Sequence, residues 1–379
     1  MKVLVLVKNL YNYPGGAERS LMTLLKGFSN SFQIKGLYLG GTTKIFRQDD
    51  IEFYQVKGDV KRNYNIFTSI LSLVKYCWKS YKVANKFRPD LIVTQTTFTP
   101  IAVTIAKMCN IKSVVFVRSF ESICFQGFTK FPCNMKCFSC CNTMRSRLFY
   151  PLNKIHIIWL RWALKHSNLV ISNSSFMQKI LKDYLNLDSE VTYPFINFND
   201  VLSNKKREKR FITFINPRKV KGIDIFVEVA KKMPERKFLV VGWSKPDDQI
   251  ERLFVLPNVK YLGKVRNMRD IYSITRILLV PSIWPEPFGR VCVEAMANGI
   301  PCIASNVGGI KEAIGDCGIV IDKPFDIDLW VHAIKRFDNS DYYNDCITNI
   351  PRMLEKFNVQ KNIKSFTSCL ELTFPEIFC

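Results

Sequence analysis

The strongest constraint on the fold of this 379-residue chain is a repeated alternation of short apolar runs with amphipathic stretches. It starts with VLVLV at 3–7, a turn at 14–16 and a helical pattern from about Glu18. Strands that alternate with helices predict a parallel sheet covered on both faces. Further apolar runs lie near 34–39, 51–56, 91–94, 113–117 and 169–172, and helical patterns lie at roughly 64–87, 99–109 and 174–186.

The alternation restarts after a polar, basic stretch at 197–210, NFNDVLSNKKREKR, with FITFIN at 211–216 and the helical pattern GIDIFVEVAKKM. Such a stretch is typical of an interdomain linker, and an exposed loop within one domain is the alternative. We therefore predict an α/β fold with two doubly wound, Rossmann-like domains facing across a cleft, where ligands of such sheets bind. The predicted domains are 1–197 and 198–350, with 351–379 as a helix that completes the first.

The charge is distributed unevenly. Residues 1–200 contain 27 basic and 11 acidic residues, a difference of +16, whereas the rest contain 28 and 21, a difference of +7. A basic half predicts an anionic partner, such as a membrane surface, an acidic glycan, a phosphorylated substrate or nucleic acid, unless its lysines serve only solubility. No recognised nucleic-acid motif is found, so no nucleic acid is expected.

The location of the protein is predicted from its apolar runs. None approaches the ~20 residues that span a bilayer. The apolar start ends at Lys8 without a small-residue cleavage site, so we expect a cytoplasmic protein. Peripheral association with a membrane surface stays open.

The stretch 281–322 contains two carboxylates separated by seven residues, Glu286 in the loop WPEPFG and Glu294 in a predicted helix. The backbone N–H groups of Phe288, Gly289 and Arg290 suit phosphate or ligand oxygens at a helix N-terminus. A loop carboxylate can accept hydrogen bonds from sugar hydroxyls, and one further along the helix can reach a ribose diol. The alternative is that Glu286 only favours the start of the helix and that Glu294 is solvated.

The whole stretch resembles the donor-site signature of the retaining glycosyltransferases of family 4, which have the GT-B fold. The resemblance implies that Glu286 contacts the donor sugar, that Glu294 contacts the nucleotide ribose, and that the backbone of 288–290 lies near the sugar and the diphosphate. The matching residues are Glu286-Pro287-Phe288-Gly289, Glu294-Ala295, Ala297, Gly299, Pro301, Ala304-Ser305, Gly308-Gly309 and Glu312.

Two glycines and a basic turn agree with this resemblance. Gly15 and Gly16 open the first helix at the position that faces the donor diphosphate in the family. A basic pair that neutralises this diphosphate is matched by Lys221, while Asn216 stands where the family has its Arg. Arg218 is the candidate substitute, because a leaving diphosphate without a metal requires cationic stabilisation.

The family often has a His after the strand that matches SVVFV, and here Arg118 occupies that place. The three histidines of the chain are at 156, 166 and 332. The resemblance therefore implies that Arg118 orients the donor sugar or the acceptor rather than acting as a base. It also implies transfer on one face of the sugar, with the departing phosphate taking the acceptor proton.

Five cysteines fall within 124–141, and the spacing of the first four is compatible with a tetrahedral Zn²⁺ site. We predict a structural Zn²⁺, with an iron–sulfur cluster, free thiols or a disulfide as alternatives, and no cofactor for transfer itself. The predicted ligands are Cys124, Cys133, Cys137 and Cys140.

Together these features predict a retaining glycosyltransferase that moves a sugar from a UDP- or GDP-sugar to a glycan or lipid-linked acceptor, with metal-independent chemistry. The basic half makes an anionic acceptor plausible. Two alternatives stay open. One is a nucleotide-sugar epimerase or phosphorylase of the same fold, and the other is a basic membrane- or nucleic-acid-binding module without transfer activity.

Overall fold

The computed structural model describes residues 1–10, 15–58, 66–120, 124, 138, 144–205, 207–242 and 248–378, with backbone only at 66–70, 145 and 248–250. The chain divides into two compact units, Met1–Phe195 with Val359–Cys379, and Ile196–Asn358. The first boundary lies two residues before the predicted 197/198. The chain returns to the first unit at Val359 rather than at 351, because Ser340–Leu354 is a helix of the second unit.

The first unit has a mostly parallel sheet. Its strands are β1 (Lys2–Leu6), β2 (Gln33–Gly40), β3 (Lys44–Gln48), β4 (Ile51–Lys57), β5 (Leu91–Gln95), β6 (Lys112–Val117), β7 (Leu169–Ser172) and β8 (Glu190–Val191). In the described residues their order is β3-β4-β2-β1-β5-β6-β7-β8, and β3 is antiparallel to β4. The register pairs Leu6 with Thr94 and Gln95 with Phe116, so the carboxyl ends of β1, β5 and β6 lie side by side.

Helices cover both faces of this sheet because successive strand residues point to opposite sides. The helices are α1 (Gly16–Phe28), α2 (Ile66–Phe87), α3 (Thr99–Met108), α4 (Met144–Leu148), α5 (Tyr150–His166) and α6 (Ser175–Leu185), with two more at the C-terminus, α14 (Val359–Thr373) and α15 (Pro375–Phe378). Val3 and Val5 pack with α1 and α14, whereas Leu4 and Leu6 pack with α2 and α3.

The second unit repeats this architecture with a parallel sheet. Its strands are β9 (Phe211–Ile215), β10 (Phe238–Val241), β11 (Val259–Tyr261), β12 (Thr275–Val280), β13 (Cys302–Ser305) and β14 (Gly318–Ile321). Its helices are α7 (Ile223–Lys232), α8 (Asp248–Phe254), α9 (Met268–Tyr272), α10 (Arg290–Ala297), α11 (Ile310–Ile314), α12 (Ile327–Arg336) and α13 (Ser340–Leu354). The strand order in the described part is β11-β10-β9-β12-β13-β14. The predicted α/β class with two Rossmann-like sheets is confirmed.

The basic stretch at 197–210 belongs to the second unit and packs against it. Lys209 donates hydrogen bonds to the carbonyl oxygens of Asn298 (2.5 Å) and Gly299 (3.2 Å). Burial lowers the pKa of Lys209. Asn298 also donates to the carbonyl oxygen of Val201 at 3.1 Å. These contacts fix the described parts of the stretch, 197–205 and 207–210, on the second unit, although its composition is typical of a linker.

None of the described helices, including the longest one, α2, combines the length and the apolar character required to cross a bilayer.

Helix α14 completes the core of the first unit. Phe366 is wholly buried, stacks on Phe28 with ring centroids 5.8 Å apart, and contacts Phe116 (5.2 Å) and Phe195 (6.2 Å). The C-terminal helix therefore supplies an aromatic ring at the centre of the sheet made by the N-terminal half of the chain.

We expect Phe366→Ala to lower the free energy of unfolding of the first unit by about 3–5 kcal/mol, because it leaves a large cavity among three aromatic rings. Chemical denaturation measures this. Leu372→Ala in the same helix removes an exposed side chain and should change stability by no more than about 0.5 kcal/mol. Equal effects of the two substitutions would show that α14 is not part of the core.

Candidate functional site

Glu286 lies in the loop that follows β12 and is buried. The hydroxyl of Ser282 donates to its Oε1 at 2.7 Å, and the ammonium of Lys221 forms an ion pair with the same oxygen. The Lys221 ammonium also lies 5.0 Å from the centre of the Trp284 ring. Oε2 of Glu286 has no hydrogen-bond partner among the described residues. The carboxylate is therefore fixed through one oxygen, and its other oxygen can accept a hydrogen bond from a ligand.

Lys221 meets Glu286 because the turn after β9 is joined to the loop after β12. The carbonyl oxygen of Val220 accepts hydrogen bonds from the N–H groups of Ile283 and Trp284, each at 3.2 Å. Gly222 has φ +83°, and a Cβ at this position would overlap the carbonyl oxygen of Pro281. Only glycine permits this approach, which places the two loops in direct backbone contact.

The turn at Gly308 and Gly309 packs against the backbone of Glu286. The N–H of Gly309 donates to the carbonyl oxygen of Glu286 at 2.7 Å. Gly308 has φ +64°, and a Cβ there would overlap that carbonyl oxygen and approach the Glu286 nitrogen at 2.6 Å. The Gly-Gly pair in the sequence is thus a packing requirement of the Glu286 loop.

Glu294 is buried on α10, and each of its carboxylate oxygens accepts a hydrogen bond. Arg290 Nε donates to Oε1 at 2.6 Å, and the Tyr272 hydroxyl donates to Oε2 at 3.0 Å. Burial, reinforced by the negative charge of Glu294, raises the pKa of Tyr272 well above its ordinary value. Tyr272 therefore stays a hydrogen-bond donor. Because each carboxylate oxygen has two lone pairs, a ligand hydroxyl can share these oxygens.

Gly289, whose φ is +97°, is the N-cap residue of helix α10. No side chain caps this end of the helix with a hydrogen bond. The preceding Phe288 is buried and packs edge-on against Phe357 at 5.4 Å. The loop thus enters α10 with a fixed geometry, and Arg290 stands in the first turn of the helix.

The two remaining predicted residues of this unit are placed differently. Arg218 is exposed, and its guanidinium has no hydrogen bond or ion pair with the described residues. Asn216 adopts φ +69°, and its N–H donates to the carbonyl oxygen of Val241 at 2.7 Å. The structure thus brings Lys221 and Glu286 together, leaves Arg218 in solvent, and uses Asn216 to form the turn.

In the first unit, Arg118 follows β6 and is buried. Its Nη1 donates to the carbonyl oxygen of Ala17 in the first turn of α1 at 3.2 Å, and its guanidinium lies 4.6 Å from the centre of the Phe116 ring. Gly15 caps α1, and Gly16 is its first residue. Arg118 therefore lies next to the glycine turn that the sequence singled out.

Two polar residues at the same sheet edge were missed by the sequence analysis. Gln95 ends β5 and Asn173 follows β7, and both are buried. Within the described ranges, Gln95 Oε1 and Asn173 Oδ1 have no partner, while Asn173 Nδ2 donates to the Arg118 carbonyl oxygen at 3.3 Å. The available signal was a polar residue directly after a buried strand. Thr96 follows Gln95 with φ +63°, a strained backbone for a β-branched residue.

The predicted zinc ligands mostly lie outside the described residues. Cys124 is described and buried, whereas Cys133, Cys137 and Cys140 are not described. Among the residues that the structure does describe, no group of three or more His, Cys, Asp and Glu side chains is arranged to hold a metal. The zinc site therefore stays a prediction.

Two family models match the chain, one over each half. Residues 14–200 match the model described as Glycosyltransferase Family 4, and residues 196–353 match the model described as Glycosyl transferases group 1. N-acetyl-alpha-D-glucosaminyl L-malate synthase from Bacillus anthracis is 30% identical over 186 residues, which are 43% of this chain and 48% of that protein. The chain spans less than two thirds of the length of the first curated relatives that it matches.

Solved structures share the fold across nearly the whole chain. Sucrose-phosphate synthase from Thermosynechococcus elongatus has a TM-score of 0.76 at 15% identity and covers 99% of this chain and 100% of its own. Anabaena HepE in complex with UDP-glucose has a TM-score of 0.70 at 18% identity, with coverages of 98% and 99%. These likenesses confirm the predicted GT-B fold.

We expect Gly308→Ala to be far more damaging than Gly263→Ala. Both residues have positive φ, +64° and +60°, but a Cβ on Gly263 meets no atom within 4 Å. Gly263→Ala should cost about 1 kcal/mol of backbone strain. Gly308→Ala should cost about 1–3 kcal/mol more, because the methyl group overlaps the Glu286 backbone. Urea denaturation measures the difference, and a smaller loss for Gly308→Ala would contradict the described packing.

We expect Tyr272→Phe to lower stability by about 1–3 kcal/mol at neutral pH, since it leaves a buried carboxylate oxygen without its donor. The raised pKa of Tyr272 stabilises the native protein below pH ~10, and this stabilisation is lost as the pH rises further, by ~1.4 kcal/mol per pH unit. The gap between wild type and variant should therefore narrow above pH ~10.

The matched control for this experiment is Tyr343→Phe, which removes a hydroxyl that donates to the backbone carbonyl oxygen of Arg276 at 3.1 Å. Its loss at neutral pH should be smaller, because no carboxylate is left unsatisfied. A Tyr272→Phe variant as stable as wild type at pH 7 would rule out the described support of Glu294.

Proposed function

The chain belongs to the glycosyltransferases of group 1 and family 4, and on this basis we propose that it transfers a sugar from a UDP- or GDP-sugar to a glycan or lipid-linked acceptor. The observation that carries the proposal is the Glu286 carboxylate, which Lys221 and Ser282 hold through Oε1 and whose Oε2 has no hydrogen-bond partner among the described residues. A solved structural neighbour, Anabaena HepE, is in complex with UDP-glucose, which supports a donor of this class.

In the proposed reaction, Glu286 Oε2 accepts a hydrogen bond from a hydroxyl of the donor sugar. Lys221 stands beside it with further N–H groups for a phosphate oxygen, and the exposed Arg218 lies on the same turn. Both cations stabilise the negative charge that develops on the departing nucleotide diphosphate. Glu294, oriented by Arg290 and Tyr272, accepts hydrogen bonds from the ribose.

Transfer proceeds with retention of the anomeric configuration, as the family signature implies. The bond between the anomeric carbon and the phosphate oxygen breaks, and a bond to the acceptor oxygen forms on the same face of the sugar. The departing phosphate oxygen takes the proton of the acceptor hydroxyl. This chemistry requires no divalent metal, because Lys221 and Arg218 provide the positive charge.

The roles of the first unit belong to the same proposal. Arg118 acts as a hydrogen-bond donor to the sugar or acceptor, since a guanidinium keeps its proton at any physiological pH. Gly15 and Gly16 provide the backbone that approaches the diphosphate. The excess of basic residues in 1–200 favours an anionic or lipid-linked acceptor.

The donor is tested first by thermal denaturation with UDP-, GDP-, ADP- and CMP-sugars, each measured with and without EDTA. A donor at 100 times its Kd should stabilise the native state by about 2.7 kcal/mol. Stabilisation by UDP- or GDP-sugars alone supports the proposal. Stabilisation that EDTA abolishes would contradict the metal-independent part.

Glu286→Gln should reduce transfer by at least about 100-fold in protein that is still folded at the assay temperature, because it removes the charged acceptor but keeps the shape of the side chain. Glu294→Gln should instead weaken donor binding. Glu251→Gln, which changes an exposed carboxylate of the same unit, is the control. Product analysis separates transfer from epimerisation of the donor or phosphorolysis of a glycan. Wild-type turnover by Glu286→Gln would reject the assigned role.

A further inference from the structure

Helix α5 is apolar on two opposite faces. One face is buried and packs on α3, through Ile157, Leu160, Ala163 and Leu164. The opposite face is exposed, and its residues follow one another in steps of three and four, which places them on one stripe. These exposed residues are Leu152, Ile155, Ile158 and Trp162. Ile155 is 64% exposed and Ile158 is 57% exposed, values unusual for aliphatic side chains on a helix of a globular protein.

Helix α2 repeats this arrangement. Its buried face contains Tyr76, Val83, Ala84 and Phe87. Its exposed residues again follow in steps of three and four: Leu71, Val74, Trp78 and Tyr81. Val74 is 60% exposed, and Trp78 is 59% exposed. A surface helix of a globular protein normally has polar or charged residues opposite its buried face, so a second, exposed apolar stripe requires an explanation.

The two exposed stripes belong to one helical layer. Helix α3 is almost wholly buried and contacts both α2 and α5, and α2 and α3 cover the same side of the first sheet. We call the eight exposed residues, Leu71, Val74, Trp78, Tyr81, Leu152, Ile155, Ile158 and Trp162, the α2–α5 face. Because each stripe lies opposite the buried side of its helix, both point away from the core that the helices cover.

The charged residues in the sequence around the α2–α5 face are all Lys or Arg. Residues 66–87 contain four Lys, residues 144–166 contain five Lys or Arg, and neither range contains an Asp or Glu. Lys82 lies 3.7 Å from the centre of the Trp78 ring. Lys75, Lys82, Lys86, Lys154 and Lys165 are exposed beside the stripes. An apolar stripe flanked by cations is complementary to a surface with negative head groups above an apolar interior.

From this we propose that the α2–α5 face docks the first unit on an anionic phospholipid surface. The exposed aliphatic and Trp side chains enter the boundary between head groups and acyl chains, and the lysines contact the lipid phosphates. A protein partner fits less well, because protein interfaces are depleted in Lys. The inference goes beyond the proposed transfer reaction, since it concerns a surface of the first unit and requires no nucleotide sugar.

The test is co-sedimentation of the full chain with vesicles, without nucleotide sugar. We expect binding to vesicles of equal parts phosphatidylglycerol and phosphatidylcholine, little binding to phosphatidylcholine alone, and weaker binding at high salt. Val74→Ser/Ile155→Ser/Ile158→Ser should lose binding at least about tenfold, because it removes the apolar contacts. Lys82→Glu/Lys154→Glu should also lose at least about tenfold.

Matched controls distinguish binding through this face from non-specific binding through any exposed apolar or basic residues. Phe325→Ser/Val255→Ser removes side chains of the second unit that are 73% and 76% exposed, and Lys260→Glu/Lys335→Glu reverses two exposed charges there. Both controls should bind as the wild type does. All variants change exposed residues, and equal melting temperatures show that they are folded.

Three outcomes of the co-sedimentation test would overturn the proposal: no wild-type binding to anionic vesicles, equal losses in the controls, or full binding by both α2–α5 variants. A concentration-dependent dimer that the same variants abolish, without vesicle binding, would assign the face to a second copy of the chain instead. Failure of transfer with intact vesicle binding would reject only the proposed function.

Insertion is checked separately from electrostatic adsorption. Phosphatidylglycerol vesicles with brominated acyl chains should quench part of the Trp fluorescence, and Trp78→Phe/Trp162→Phe should abolish this quenching while the protein stays bound. Undiminished quenching in this variant would show that another surface enters the lipid and would overturn the assignment.

Discussion

The second unit depends on close backbone contact around the segment 281–286. Gly222 approaches Pro281 from one side, and Gly308 approaches Glu286 from the other, each with a backbone conformation and a spacing that exclude a side chain. The loop between β12 and α10 is thereby held by main-chain contacts. A carboxylate on such a loop has little freedom to move, which is what its proposed role in binding the donor sugar requires.

Contacts with neighbouring side chains also hold the buried carboxylates of the site in place. The two buried carboxylates each have a cation and a hydroxyl as neighbours: Lys221 and Ser282 for Glu286, and Arg290 and Tyr272 for Glu294. A buried carboxylate is costly unless it is paired and hydrogen-bonded. In each case one partner, Lys221 or Tyr272, comes from a separate part of the chain, so the contacts also tie distant segments together. The site is consequently coupled to the stability of the unit that contains it.

The sequence predicted the class of fold and singled out Glu286 and Glu294 as candidates, because strand-helix alternation and the Glu286 signature are local patterns. It could not identify Tyr272, since a Tyr at the end of a short helix has no spacing that relates it to Glu294. It also assigned 197–210 to a linker by composition, whereas Lys209 packs against the end of α10. Arg218 is a candidate because it lies two residues after Asn216, which occupies the position of the family's Arg. Only the tertiary structure shows that Arg218 is exposed whereas Lys221 is ion-paired.

The C-terminal helix has a consequence for the order of folding during synthesis. Domains generally fold as units, starting from the N-terminus as the chain emerges. Here most of the first unit is synthesised before the second unit, but Phe366 is missing until α14, which follows the second unit in sequence, has been translated. The second unit is contiguous in sequence, so it can fold while Phe28, Phe116 and Phe195 still lack their contacts with the Phe366 ring. The first unit is therefore completed only after the second unit has been synthesised, and a chain that stops before α14 leaves an open aromatic core.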